Sequence, residues 1–336
     1  MIRILSEISV KYKFNRYRYI IVETYRYTMN KADTDITMDK LLLQKIEEKK
    51  KRLDKQRPLP QDALQNLLED IRLRHTYHSD AIEGNTLTLQ ETKLVLEEGI
   101  TIGGKPLKDH MEARNDAEAF DLMMDLINSK KELSQEIIQQ LHECMTKGIL
   151  QCPGQYRTGD VRVTGTDVRP PSYLKVISLM DNYIKNIKEG KQHPLQKAAY
   201  IHHELVRIHP FYDGNGRVAR LLINFYLMTE GYHIIIVKKE DRKKYYQALH
   251  KADHGDLSEF ILFIMQAVHE SLQYYLSSFI EEERLISLKE IAAFSPYSQE
   301  YLSLRARQGK LDAVKMDNVW YSSKRAVKEY TKSRRK

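Results

Sequence analysis

The chain has 336 residues, 42% hydrophobic and 30% charged, with a formal net charge of +8, a composition that suits a globular protein with one sizeable core and one or two small modules. No apolar run approaches the roughly 20 residues that span a bilayer, and the first residues lack the apolar stretch and small-residue cleavage site of a signal peptide, so the expectation is a cytoplasmic protein with no membrane partner. The two cysteines, Cys144 and Cys152, exclude a disulfide framework, and neither has the neighbouring His or Cys that a zinc site needs.

Residues 1–37 are rich in Tyr, Arg and Lys without periodicity; they read as a flexible arm, or as a start assigned too early, with Met29 and Met38 as alternative starts. A charged helix is expected from Met38 to Arg57, closed by Pro58 and Pro60. A second follows over 61–83 with Leu64, Leu67, Leu68 and Ile71 on one face, stopped by Gly84 and Asn85. Ser79 and Glu83, four apart, share a face of it. Thr88 and Glu91 form a capping box for a helix ending at Gly99. After a linker with Gly103, Gly104 and Pro106, amphipathic helices are expected over 109–129 and 134–147. From Pro153 to Pro171 the helical pattern breaks; Val161 and Val163 alternate with polar residues before a Gly165–Asp167 turn, which predicts a short hairpin. Helices are predicted again over 173–188 and 194–208, the second carrying His202 and His203, read as structural or exposed. A further helix spans Arg217–Met228, then an apolar segment at 234–237, a helix bearing Tyr245 and Tyr246, and a long helix over 257–284. The last part, 286–330, reads as a capped helix (Ser287 and Glu290), a Ser295-Pro296 turn, a second helix ended by Gly309, and a hairpin about Asp317-Asn318.

The densest chemistry lies in His209–Arg220, HPFYDGNGRVAR. Gly214 and Gly216 allow a tight turn and close approach of a ligand. A glycine turn feeding a helix leaves free N–H groups at its positive end, a cradle for phosphate. Arg217 and Arg220, three apart, project from neighbouring positions of that helix and suit phosphate oxygens. Asp213 offers an oxygen ligand for a divalent metal, and His209 a base.

This string matches HxFx(D/E)GNGRxxR, and through it the chain resembles the Fic family of the Fic/Doc superfamily. The stretch Ser79-Asp80-Ala81-Ile82-Glu83-Gly84 also looks like that family's (S/T)xxxE(G/N) inhibitory motif. The resemblance implies a mainly α fold: an N-terminal helical region over 38–108 with the inhibitory helix at 79–84, a helical catalytic core over 109–284, and a short β-hairpin flap. It implies a protein adenylyltransferase that moves AMP from ATP, with Mg²⁺, onto a hydroxyl of a protein substrate or of itself. His209 would be the base and Asp213 the metal ligand. Gly214, Asn215 and Gly216 would line the anion hole, while Arg217 would hold the β-phosphate and Arg220 the γ-phosphate. The inhibitory residues would be Ser79, Glu83 and Gly84, with Glu83 pairing with Arg220 in the space the γ-phosphate needs. The flap, Val163, Thr164 and Gly165, would align the target segment by strand pairing. Tyr245 would lie against the nucleotide, as would Asp253, where the family often has Asn; an acid there accepts but cannot donate. Relatives also remove AMP with the help of this glutamate, so the net direction stays open.

Residues 286–336 resemble the winged helix-turn-helix appended to many Fic proteins, with Arg305, Arg307, Lys310, Lys315 and the terminal KSRRK available to phosphates. Docking of DNA or of protein there stays open, as does a homodimer. The rival to an enzyme is a DNA-binding regulator with a nucleotide-sensing Fic core.

Overall fold

The computed structural model describes residues 38–163, 168–316 and 319–334. The fold is mainly helical. In chain order the helices are α1 (Lys40–Asp54), α2 (Gln61–Glu83), α3 (Leu89–Glu97), α4 (Leu107–Asn128), α5 (Gln135–Thr146), α6 (Val176–Glu189), α7 (Pro194–Ile208), α8 (Asn215–Thr229), α9 (Arg242–Asp253) and α10 (Ser258–Phe279). At the C-terminal end come β1 (Leu285–Ser287), α11 (Leu288–Ala292), α12 (Gln299–Arg307), β2 (Ala313–Met316), β3 (Val319–Ser323) and α13 (Lys324–Ser333). Short 3-10 turns precede α6 and α9 and follow α10. Among the described residues no helix is long and apolar enough to cross a membrane.

At the centre is α8, buried from Asn215 to Leu227 apart from the half-buried Gly216. A helix apolar on all sides must be enclosed, and α7, α4, α5 and α2 supply the enclosure. The main core runs through Ile201, Leu205 and Ile208 of α7, Leu221, Leu222 and Phe225 of α8, and Phe260, Ile264 and Leu272 of α10.

Local signals fix the ends of the helices that frame the site. The Thr88 hydroxyl accepts from the Glu91 N–H while Glu91 accepts from the Thr88 N–H, capping α3. Gly84, with φ of 103°, lets the chain leave α2 as the Asn85 N–H returns to the Asp80 carbonyl. The Asn85 side chain then donates to Asp109 O and to Glu112 Oε2, tying the end of α2 to α4.

Three expectations are corrected. Residues 151–163 and 168–172 carry no strand, so a paired β-hairpin flap is absent from the described residues; the Thr164–Asp167 tip lies outside them. This segment is organised by Arg157 rather than by a ladder, as shown below. The final long helix ends at Phe279 and gives way to a 3-10 turn over Glu281–Glu283 instead of running on to 284. A terminal helix, α13, covers Lys324–Ser333, a stretch in which no element was expected after the hairpin; Ala326, Val327 and Tyr330 bury one face of it.

The three strands form one antiparallel sheet in the order β1-β3-β2, with Leu285 opposite Ser323 and Val314 opposite Tyr321. The hairpin turn, Asp317-Asn318, lies outside the described residues. These C-terminal elements have their own apolar cluster, including Leu288, Ile291, Leu302 and Tyr330. Two carboxylates join them to the core. Asp312 meets buried Lys49 of α1 at 2.9 Å and His269 of α10 at 2.9 Å. Glu283 meets Arg52 of α1 and Arg325 of α13.

Candidate active site

The site is built on the loop between α7 and α8. His209 caps the C-terminal end of α7 in a left-handed conformation, φ 51°. Its Nδ1 lies 3.2 Å from the Val206 carbonyl. That contact assigns the proton to Nδ1 and leaves the Nε2 lone pair free to take one. Burial pushes the His209 pKa below its ordinary value, the Val206 contact opposes the shift, and the positive charge of Arg157 adds to it. The ring is therefore neutral at pH 7.

Asn215 closes the loop. Its Oδ1 accepts from the Phe211 N–H at 3.0 Å and its Nδ2 donates to the Phe211 carbonyl at 2.9 Å. Asn215 thus holds the turn from inside; its contribution to an anion hole is its backbone N–H. The α8 helix begins at Asn215 with Gly214, φ 79°, as N-cap. By helix geometry the N–H groups of 215–217 have no partner within the helix and point out of its positive end. Asp213 is exposed beside them, with Oδ1 accepting from the Gly214 N–H at 2.6 Å. Among the described residues no group of three or more His, Cys, Asp or Glu is placed to hold a metal. A single exposed carboxylate suits a hard cation that takes its other ligands from phosphate and water.

Arg220 is 3% exposed and fully engaged. Its Nη2 donates to the Ser79 carbonyl at 2.9 Å and to Glu83 Oε1 at 2.8 Å; its Nε donates to Ser79 Oγ at 3.1 Å, and its Nη1 to the Tyr245 hydroxyl at 3.4 Å. Burial opposes the charge of Arg220, but Glu83 more than offsets it, and the pKa rises. Glu83 lies directly over the start of α8: a Cβ built on Gly216 would meet Glu83 Oε1 at 2.5 Å. Only glycine leaves room there for an oxygen anion to sit against the backbone. The structure thus brings together Ser79, Glu83, Gly216 and Arg220; of these contacts the resemblance implied the one between Glu83 and Arg220.

Arg217 is placed differently. It is 2% exposed, with Nη1 3.4 Å from Glu112 and 3.7 Å from Asp80. It turns toward acids of α4 and α2, groups to which the sequence reading gave no role.

The two residues expected to lie against the nucleotide, Tyr245 and Asp253, each meet a histidine of α7. Tyr245 is 1% exposed, and its hydroxyl donates to His202 Nε2 at 2.8 Å, while burial drives the His202 pKa well below its usual value. Its neighbour Tyr246 is the accessible ring, 39% exposed, with the Arg242 guanidinium 4.8 Å from its centroid. Asp253 pairs with His203 at 3.0 Å. His202 and His203 are both buried, so the part of the expectation that left them exposed is corrected; they are structural partners of α9. Val163 is half-buried in a segment without strand, and Thr164 and Gly165 lie outside the described residues.

Two residues were missed. Arg157, 2% exposed, donates from Nε to the His209 carbonyl at 2.8 Å, from Nη1 to the Gly159 carbonyl at 2.9 Å, and from Nη2 to the Pro171 carbonyl; its own N–H reaches the Pro210 carbonyl. It fastens the His209 backbone to both ends of the 159–171 segment. His142 of α5 stacks on Phe211, ring centroids 3.7 Å apart and nearly parallel, and its Nε2 lies 3.0 Å from the Asp213 carbonyl. Burial pushes its pKa down to about 4. Neutral at pH 7, it donates from Nε2 to Asp213 O and accepts the Gly154 N–H at Nδ1. Neither residue carries a spacing signal, since the carbonyls that tie them to the loop, those of His209 and Asp213, are far away in sequence.

Residues 132–227 match the model of the Fic/DOC family. Over 251 residues the chain is 34% identical to the protein adenylyltransferase Fic of Drosophila persimilis, covering 73% of this chain and 48% of that protein. Against the protein of the same name from Nematostella vectensis the identity is 33% over 246 residues, 72% of this chain and 57% of the relative. The chain spans about half the length of the curated relatives it matches. Among solved structures, Fic-1 (residues 134–508) from C. elegans superimposes with a TM-score of 0.65 at 28% identity, covering 70% of this chain and 71% of that one. A Fic-domain signalling protein from Bacteroides thetaiotaomicron gives 0.63 at 27%, covering 70% and 96%.

Proposed function

We propose that the chain, whose residues 132–227 match the Fic/DOC family model, is a protein adenylyltransferase, transferring AMP from ATP to a hydroxyl side chain of a protein, itself included. The observation that carries the proposal is the shared loop. A neutral histidine with a free Nε2, an exposed carboxylate and the amino end of a buried helix stand within the six residues 209–214 and the first turn of α8.

In the proposed reaction the target hydroxyl gives its proton to His209 Nε2 as its oxygen bonds to the α-phosphorus, and the bond from that phosphorus to the pyrophosphate oxygen breaks. The α8 N–H groups and Arg217 stabilise the phosphate oxygens as charge moves onto the leaving group. Asp213 would supply a carboxylate oxygen to Mg²⁺, whose chemistry is to neutralise charge across the phosphates. Gly159 and Pro171, tied through Arg157 to the His209 carbonyl, border the loop where a target segment would lie, with Val163 on the segment between them; Thr164 and Gly165 lie outside the described residues.

Glu83 makes this a restrained enzyme. It occupies the space over Gly216 and holds Arg220 at 2.8 Å, so a γ-phosphate there would meet a carboxylate and find its arginine engaged. The reading predicts strong labelling of protein by α-labelled ATP for Glu83→Gly and weak labelling for wild type. Glu83→Gly combined with His209→Ala should lose at least about a hundredfold of that signal, the low end for removing a general base. Persistent labelling without His209 would exclude it as the base. A folded Glu83→Gly protein that labels no better than wild type would remove the inhibitory role.

A further inference from the structure

The last turn of α2 meets the second motif arginine as well as the first. Arg220 is held by Ser79 and Glu83, whereas Arg217 faces Asp80, the residue between them in sequence. The two contacts differ in kind. Arg220 has four hydrogen bonds, but the Nε and Nη1 of Arg217 are buried with no hydrogen-bond partner. Arg217 is therefore faced by carboxyl groups, Asp80 at 3.7 Å and Glu112 at 3.4 Å, without directed bonds. A buried guanidinium in that condition is open to any anion that brings well-placed acceptors.

The carboxylates around it are not equivalent. Glu112 is occupied by the Asn85 side chain at 3.2 Å and by Lys108 at 3.5 Å. Asp80, 3% exposed, has no hydrogen-bond partner on either oxygen, and the same holds for Asp116, 0% exposed, behind it on α4. Burial, together with the repulsion of Asp116, pushes the Asp80 carboxyl well above the usual carboxylate range, and burial pushes Asp116 up to about 6. Glu83, Asp80, Glu112 and Asp116 thus crowd two guanidiniums before any phosphate arrives.

We propose that Asp80 is a positioning residue that acts through Arg217: it holds this arginine against α2 and away from the β-phosphate, a second clamp beside the Glu83–Arg220 pair. The clamp rests on the reading of the site as a nucleotide site with Arg217 serving the β-phosphate. Because Asp80 and Glu83 belong to one helical turn, a shift of that turn withdraws both acids together. Either clamp alone also leaves one arginine unavailable, so removing Glu83 releases only part of the restraint.

The test uses equilibrium binding of nucleotides to the full chain, with Glu83→Gly as the parent. Asp80→Asn keeps the shape and removes the carboxyl group that faces Arg217. It should tighten ATP and ADP on the order of tenfold, the effect of about 1.4 kcal/mol, and leave AMP, which has no β-phosphate, unchanged. Asp80→Ala should give the same split by a different route, which keeps the test independent of how well one variant folds. A purely structural aspartate would shift the three nucleotides alike or not at all, and either result overturns the clamp while nucleotide binding itself stands. Absence of ATP, ADP and AMP binding to the folded Glu83→Gly parent would instead overturn the nucleotide reading and the clamp with it.

Discussion

His209 sits where a helix ends, and the end itself prepares the side chain. The left-handed backbone at φ 51° turns the ring back on the last turn of α7, so that Nδ1 meets the Val206 carbonyl and Nε2 is left over. Its lowered pKa has a kinetic consequence. A general base works when unprotonated, and a lowered pKa keeps it so to more acid pH; the acid limb of kcat/KM for Glu83→Gly should therefore fall below pH 6.5, the unperturbed histidine value. A limb at or above 6.5 would contradict the burial argument. The candidate base was legible in the sequence, because the histidine stands five residues before the glycine turn. The fates of Tyr245 and Asp253 were not. The neighbours of a helical side chain depend on how α7 and α9 cross, and here they cross so that His202 meets Tyr245, which also meets Arg220, and His203 meets Asp253.

Among the elements, the segment between α5 and α6 shows why a period-two pattern can mislead. Val161 and Val163 alternate as a strand would, yet the described residues on both sides of the tip find no ladder. Their backbone is fastened by one guanidinium, since Arg157 binds the carbonyls of Gly159, Pro171 and His209. Arg157→Ala removes a donor from three carbonyls at once. It should destabilise the fold by roughly 2–4 kcal/mol, given about 1–3 kcal/mol for each buried group left unpaired and partial access of water to some. It should also lower single-turnover labelling by more than about tenfold, because the His209 backbone loses its anchor. Thermal unfolding and labelling of Arg157→Ala in the Glu83→Gly background measure both, and full activity would show that the segment holds itself. The α2 helix was easier to read: its stop at Gly84 and the four-residue spacing of Ser79 and Glu83 are local properties, and both stand as expected.

At the scale of the molecule, the C-terminal elements dock on α1 and α10 through charges taken out of water. Lys49 is 1% exposed and depends on Asp312. Burial lowers the Lys49 pKa against the pull of Asp312, while Lys49 and His269 more than offset burial at Asp312 and hold its carboxyl below the usual range. Breaking such a pair from one side leaves a buried charge without compensation. Asp312→Ala should therefore cost roughly 3–5 kcal/mol, and Lys49→Met with Asp312→Leu should recover most of it. Urea unfolding of the three proteins decides the matter; a double variant as unstable as Asp312→Ala would mean that packing, and not charge, joins the parts.

The sequence by itself determined the helical order, the caps, the glycine turn that opens α8 and the presence of an acid on α2, because each is written in residues within a few positions of one another. Only the tertiary structure decided which groups the arginines face, why Gly216 must lack a side chain, and how Arg157 and His142 brace the loop. Those outcomes join α2, α4, α5 and α8 across long stretches of chain. Periodicity names the face that a helix buries; the partner that meets it is set by how the helices pack.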